Sequence, residues 1–187
     1  MRKQKNVWSG LAAGLIGGLV ASWIMNQYQA LWKELIEGGE ENISSAQRED
    51  PQQRKESHRQ RHSESDQSEE EPATEKIAEA ISESVFDHKL TKRERQSAAP
   101  VVHYVFGATM GAFYGAVAEF APAVTSGSGL LFGTTVWLGA DETALPLLGL
   151  STPPTDYPLS THFYALTSHF VYGVSSEMVR RMARSAL

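Results

Sequence analysis

Ionisable side chains recur at helical spacing inside stretches that are otherwise almost free of charge. His103 and Glu119 stand at the two ends of a row whose successive fourth residues are Gly107, Gly111 and Gly115. Asp141 and Glu142 follow Gly129, Gly133 and Trp137, again at fourth-residue steps. His162 and His169 are seven apart, and Gly173, Glu177 and Arg180 continue their face. Residues four or seven apart share one side of an α-helix, so each row offers its polar groups to one neighbour. A charged group in a bilayer core costs roughly 2.5–3.5 kcal/mol on insertion scales. Such groups turn toward a bundle interior, a partner or water.

Three chemistries fit these residue types. His–carboxylate and Arg–carboxylate pairs can act as polar glue between helices. The same groups can carry or sense protons or cations, because histidine titrates near neutrality and burial raises a carboxylate pKa. A metal set, if there is one, draws on Asp141, Glu142 and His169 with Glu119, since carboxylate and imidazole suit divalent cations; the spacing matches no closed ligand motif. Pro146 adds to the interest of the middle group. It cannot donate to the carbonyl four residues earlier, that of Glu142, so a kink is expected beside two carboxylates. Interrupted helices with polar groups at membrane depth occur in transport sites and also as plain bends relieved by neighbours. There is no nucleophile–base motif, phosphate loop or cofactor fingerprint, so the expectation is a protein that is not an enzyme and uses no cofactor. His58 and His62 read as part of a solvated charged run.

The elements that must position these groups are long apolar segments. The chain has 187 residues, a net charge of −5 and no cysteine, so no disulfide can staple it. Most charge falls in residues 33–99, which hides the apolar stretches in the average. Span one is expected from Val7 to Gln27, about the 20 residues that cross a bilayer, with Trp8 and Trp23 as interface anchors. Its apolar region is longer than the roughly 7–15 residues of a signal-peptide core, so an uncleaved span is expected. The helix is expected to run on no further than Gly38-Gly39. Residues 40–72 are too polar to offset chain entropy, so disorder is expected there. Ile77, Ile81 and Val85, with Phe86 and Leu90 nearby, predict an amphipathic helix within 73–90, at the membrane surface or loose. Spans two, three and four are expected near Ala99–Ala121, Gly129–Leu150 and Leu159–Val179. Thr125–Gly129 and the proline-rich Ser151–Pro158 join them.

The fold class is therefore an all-α membrane protein of four transmembrane helices, a small bundle with a long disordered polar loop between helices 1 and 2. Three regions follow: 1–32 with the first span, 33–97 as the polar loop, and 98–187 with three spans and a basic tail. Arg2, Lys3 and Lys5 precede span one, and Arg180, Arg181 and Arg184 follow span four. An even number of spans puts both clusters inside the cell; Lys89, Lys92, Arg93 and Arg95 beside span two argue the other way. Under this topology His103 and His162 lie near the outer surface. Asp141, Glu142 and His169 lie near mid-membrane, and Glu119, Glu177 and Arg180 near the inner surface.

Small residues mark the packing faces. Gly10, Gly14, Gly18, Ser22 and Asn26 recur every four residues in span one, and Gly107, Gly111 and Gly115 do so in span two. Lipid is as apolar as leucine, so burial does not drive such helices together; close backbone approach does. The stripes suit each other or a second copy equally well. The partners expected are the lipid bilayer and either a homo-oligomer or a membrane complex, with no nucleic acid.

The C-terminal half resembles the YagU-like family of bacterial inner-membrane proteins. The resemblance rests on Leu130-Leu131-x-Gly133, Trp137-Leu138-Gly139-Ala140-Asp141-Glu142, and Pro146-x-Leu148-Gly149-Leu150 with Pro153-Pro154. Ser168-His169-x-Val171-Tyr172-Gly173 and Glu177-x-x-Arg180-Arg181 complete it. It covers about residues 98–185 and implies a multi-span protein of the bacterial cytoplasmic membrane, with no activity attached.

Overall fold

A computed structural model describes residues 6–46 and 71–187. The basic start and residues 47–70 of the stretch expected to be disordered lie outside the described residues; residues 40–46 of that stretch are helical. The chain divides into two units, Met1–Tyr28 with Pro72–Leu187, and Gln29–Glu71. The described residues are helical and contain no strand.

Helix α1 covers Val7–Ala46. Asn6 caps it: its side-chain oxygen accepts from the backbone N–H groups of Trp8 at 3.0 Å and Ser9 at 3.3 Å, satisfying donors that a helix start leaves free. The expected stop at Gly38-Gly39 is not obeyed, and the helix passes through to Ala46. A glycine inside a helix costs only about 1 kcal/mol relative to alanine, which flanking helix formers offset. Helix α2 covers Ala73–Phe86. Its packed face is Glu75, Ala78 and Ser82, while Ile81 and Val85 of the apolar row point outward. Helix α3, Lys92–Phe120, begins in a reciprocal cap between Thr91 and Glu94. Arg95 of α3 bonds Glu79 of α2 at 2.7 Å. Two helical stretches, Val7–Leu35 and Lys92–Phe120, are long and apolar enough to cross a membrane.

After Pro122 the chain does not make a simple turn. Residues Pro122–Gly129 form a 3₁₀ segment with positive φ at Gly127, Ser128 and Gly129, and it packs on both α3 and the last helix. Helix α4, Leu130–Val136, leads into a π segment, Trp137–Ala144, and then the single turn α5, Leu145–Leu147. The expected span three is an α-helix kinked at Pro146; the departure from α geometry begins earlier, at Trp137. The π register fixes where proline acts. Leu145 donates to the Ala140 carbonyl, five residues back. The next donor in that register would be residue 146, which is proline, so the ladder reverts to α, with Leu148 bonded to Ala144 at 3.0 Å. Pro146 thus withholds a donor from Asp141 in the π register as well as from Glu142 in the α register. Helix α6, Leu159–Ala186, follows a short 3₁₀ turn at Pro154–Asp156.

The glycine rows meet inside the chain. A methyl group on Gly14 or Gly18 would overlap the carbonyl of Gly111 or Gly107, and on Gly10 it would lie 2.6 Å from the Gly115 oxygen. The pairing runs antiparallel, with Ala13 and Ala21 fully buried beside it. A second contact of the same kind joins Gly129 to Gly173, and Gly133 to the His169 carbonyl. Gly17 completes the set against the Ser176 backbone. Leu15, Leu19 and Trp23 of α1, with Phe106, Phe113 and Phe120 of α3, face outward.

Gly111→Leu should therefore be severe, with overpacking of at least about 3 kcal/mol, whereas Gly139→Ala, which meets nothing within 4 Å, should cost under about 1 kcal/mol. Thermal unfolding of the two purified variants, followed by circular dichroism, checks this. Equal stability of Gly111→Leu and wild type would contradict the contact.

Candidate functional site

His162, His169, Glu177, Arg180 and Arg184 lie on one side of α6, and the polar groups of the other helices gather along it. At about 1.5 Å per residue the column from His162 to Arg184 is about 33 Å long. Successive members sit three to eight residues apart, and at about 100° per residue their directions fall within an arc of about 80°, so one side of the helix carries them all.

The end nearest the α6 N-terminus holds His162. Its Nδ1 lies 2.8 Å from Oε1 of Glu142, and its Nε2 lies 2.9 Å from the carbonyl oxygen of Pro154. The Tyr157 ring stands edge-on to the imidazole, with centroids 6.4 Å apart.

Next along the column is buried His169. Its Nδ1 is 2.9 Å from the Ala165 carbonyl one turn back, and Asp141 approaches to 3.7 Å, too far for a hydrogen bond. Asp141 reaches this level because of the π segment. In a pure α-helix the eight residues from Gly133 overshoot two turns by about 80°; the wider π turns absorb the excess. His103 is at this level too, within electrostatic range of His169, and not beside His162 as its expected depth implied. Its buried Nε2 has no hydrogen-bond partner among the described residues.

The third level is the best-satisfied. Glu177 is 1% exposed. It accepts from the Tyr114 hydroxyl at 2.9 Å, from Nε and Nη2 of Arg180 at 2.7 and 2.9 Å, and from Arg181. The Arg180 guanidinium lies 5.7 Å from the centroid of the Tyr114 ring, and that ring stacks on Phe132 at 4.1 Å. The last level joins Glu119 to Arg184 at 2.6 Å and to the backbone N–H of Asn6 at 3.1 Å. Arg180 and Ser176 pack on Gly17, the middle of the apolar run Val7–Gln27. Glu177 and Arg180 are thus level with the centre of that run, not with its inner end as the assumed topology had it.

Asp141, Glu142 and His169 do not converge. Glu142 turns to His162 and Asp141 to His169, because neighbours in a helix point about 100° apart. Among the described residues no three metal-ligating side chains come together. Sequence reasoning missed Tyr114, Asn6 and the Pro154 carbonyl. Tyr114 left a trace: a phenol next to Gly115 in the small-residue row.

Comparison with known proteins places the chain. Residues 78–178, more than half of it, match the family described as "Protein of unknown function (DUF1440)". The chain belongs to that family. It is also similar to "Inner membrane protein YagU" of Escherichia coli (strain K12), 31% identical over 87 residues, which are 46% of this chain and 43% of that protein. The chain thus matches less than half the length of this relative. No solved structure matches it. With its two long apolar helices, the chain is a helical membrane protein of the DUF1440 family. The family match takes in His103, Glu119, Asp141, Glu142, His162, His169 and Glu177, and stops short of Arg180 and Arg184.

Removing one member of a buried ionic group leaves its partner's charge unpaired, at a cost of about 3–5 kcal/mol. Glu177→Gln should lose about that much, while Arg181→Gln, whose side chain is 57% exposed, should lose under about 1 kcal/mol. Denaturant titration in mild detergent separates the two, and similar losses for both would be inconsistent with this ranking.

Proposed function

We propose that the chain is a multi-pass protein of the bacterial cytoplasmic membrane, with both ends inside, whose His/carboxylate column responds to protons or passes them. The observation that carries this reading is the column itself: ionisable groups at four levels on one face of α6, over about 33 Å, inside a helical membrane protein. Inner-membrane placement is supported by the relative's name, and the inside position of both ends by Arg2, Lys3 and Lys5 before the first helix and by Arg181 and Arg184 in the last turns of α6. Four crossings require the broken segment from Leu130 to Leu147 and the whole of α6 to complete the bundle.

The levels play different parts in this reading. Glu177, with its donors in place, anchors the bundle. His169, with Asp141 and His103 beside it and no hydrogen bond to the carboxylate, is where a proton can be gained or lost without breaking a hydrogen bond between side chains. A response to acidity outside the cell is the physiological role that fits best. Neither the family description nor the relative's name is that of an enzyme. An assembly role is the second reading; the glycine rows are already occupied within the chain, so a partner would have to use another face.

Proton flux into liposomes tests the proposal. Wild type should acidify the lumen faster than protein-free vesicles, and the double variant Asp141→Asn/Glu142→Gln should fall to the lipid background. Background-level flux in both proteins would sink the conducting form of the reading.

A further inference from the structure

We propose that His162 and Glu142 together hold one proton, and that this proton fastens the Ser151–Pro158 loop onto α6. The inference deepens the proton-responsive reading by naming where an external proton would be bound and what it would move.

The argument is a count of donors. His162 Nε2 faces a peptide carbonyl, which can only accept. Its Nδ1 faces a carboxylate, which when ionised can also only accept. A neutral imidazole has a single N–H, so it can satisfy just one of the two. Both contacts are made only when the pair carries an additional proton, either as imidazolium with carboxylate or as neutral imidazole with a protonated Glu142 donating to Nδ1. In each form the pair holds that one proton. Its loss turns a nitrogen lone pair toward an oxygen lone pair, and one of the two contacts must open.

Three elements meet at this ring: the π segment through Glu142, the loop through Pro154, and α6 through His162 itself. The other ionisable groups on these elements nearest the ring are Asp141 beside Glu142, and Asp156 and Tyr157 on the loop. Asp156 accepts from the Thr155 hydroxyl at 3.3 Å, and Tyr157 presents its ring edge. The pair is about one-fifth exposed, 23% for His162 and 18% for Glu142, so protons reach it from water. The closed arrangement binds the proton more tightly than the open one; by linkage, acid closes the loop and alkali releases it.

The chain has no cysteine, so one placed at Ser151, whose hydroxyl oxygen is buried, reports loop opening through its reaction with a methanethiosulfonate reagent. The full chain is used in detergent, and variants are compared at the same pH so that the thiol's own ionisation cancels. Glu142→Gln supplies an amide N–H to Nδ1 of neutral His162, so it should keep the loop closed at every pH. At about pH 6, S151C and S151C/E142Q should react at the same rate, and at about pH 9 S151C should react about tenfold faster, the loss of one charge-assisted bond. S151C/H162F should react fast at both. Equal rates for S151C and S151C/E142Q at about pH 9 would overturn the proposal, as would an S151C/E142Q protein that opens with alkali like the single variant. The readout needs no gradient and no flux. A working latch in a protein without flux, or flux without a latch, therefore tells the two readings apart.

Discussion

Backbone-to-backbone contact across the glycine rows is the constraint from which the rest follows. In lipid there is no gain from hiding a leucine, so helices associate through close packing and polar contacts. Here α1 and α3 approach until a single added methyl group has no room. That approach fixes their stagger to within a residue, and α6 is held against α1 at Gly17 and against the 3₁₀ segment and α4 at Gly129 and Gly133. Only with the stagger fixed do Tyr114, Glu119 and Asn6 arrive opposite Glu177 and Arg184. The ion pairs depend on the glycines for their geometry, and the glycines depend on the ion pairs to make the close approach favourable.

The π segment solves a different problem. Gly133 and Asp141 must both address α6, yet they are eight residues apart, which in an α-helix would turn one about 80° away from the other. Widening the turns between Trp137 and Ala144 corrects the phase, and Pro146 ends the correction because it cannot supply the next donor. The proline is thus less the cause of a kink than the point at which one hydrogen-bond register gives way to another. This leaves polar backbone beside Asp141 and Glu142, at the place where the side chains are also polar.

Much of this was legible in the residues. Fourth-residue repeats of glycine gave the packing faces, and the same repeats gave the face of α6 that carries His162, His169 and Glu177. What the repeats could not give was which face meets which. Any two small-residue faces are compatible, so the choice between contact within the chain and contact with a second copy was not decided by composition. The stagger was equally hidden, which is why His103 was expected at the level of His162 and stands at the level of His169. The separation of Asp141 from Glu142 was legible and unused, since adjacent helix positions diverge. The π register was not legible, because it is set by which carbonyl each amide chooses, and that choice depends on the neighbouring helix. In α2 the expected apolar face was real, but the packed face was the small, polar one, because Glu79 and Arg95 dock that side.

The column is uneven, and the unevenness limits where proton chemistry can occur. Glu177 receives hydrogen bonds from a phenol and two guanidinium groups. Protonating it would forfeit several charge-assisted bonds at once and leave arginine charge buried without compensation, which is strongly unfavourable. Glu119 is similarly committed to Arg184 and Asn6. Asp141 has a histidine at 3.7 Å and, among the described residues, no guanidinium paired with it, and Glu142 shares its proton with an imidazole whose charge is itself adjustable. Arginine cannot release a proton in a protein, whereas histidine releases one near neutrality. The arginine-bearing half of α6 is therefore a fixed anchor across the physiological range, and any change of protonation is confined to the histidine-bearing half. That half is where the helix packed against α6 departs from α geometry, and where the proline-rich loop closes over the end of the bundle.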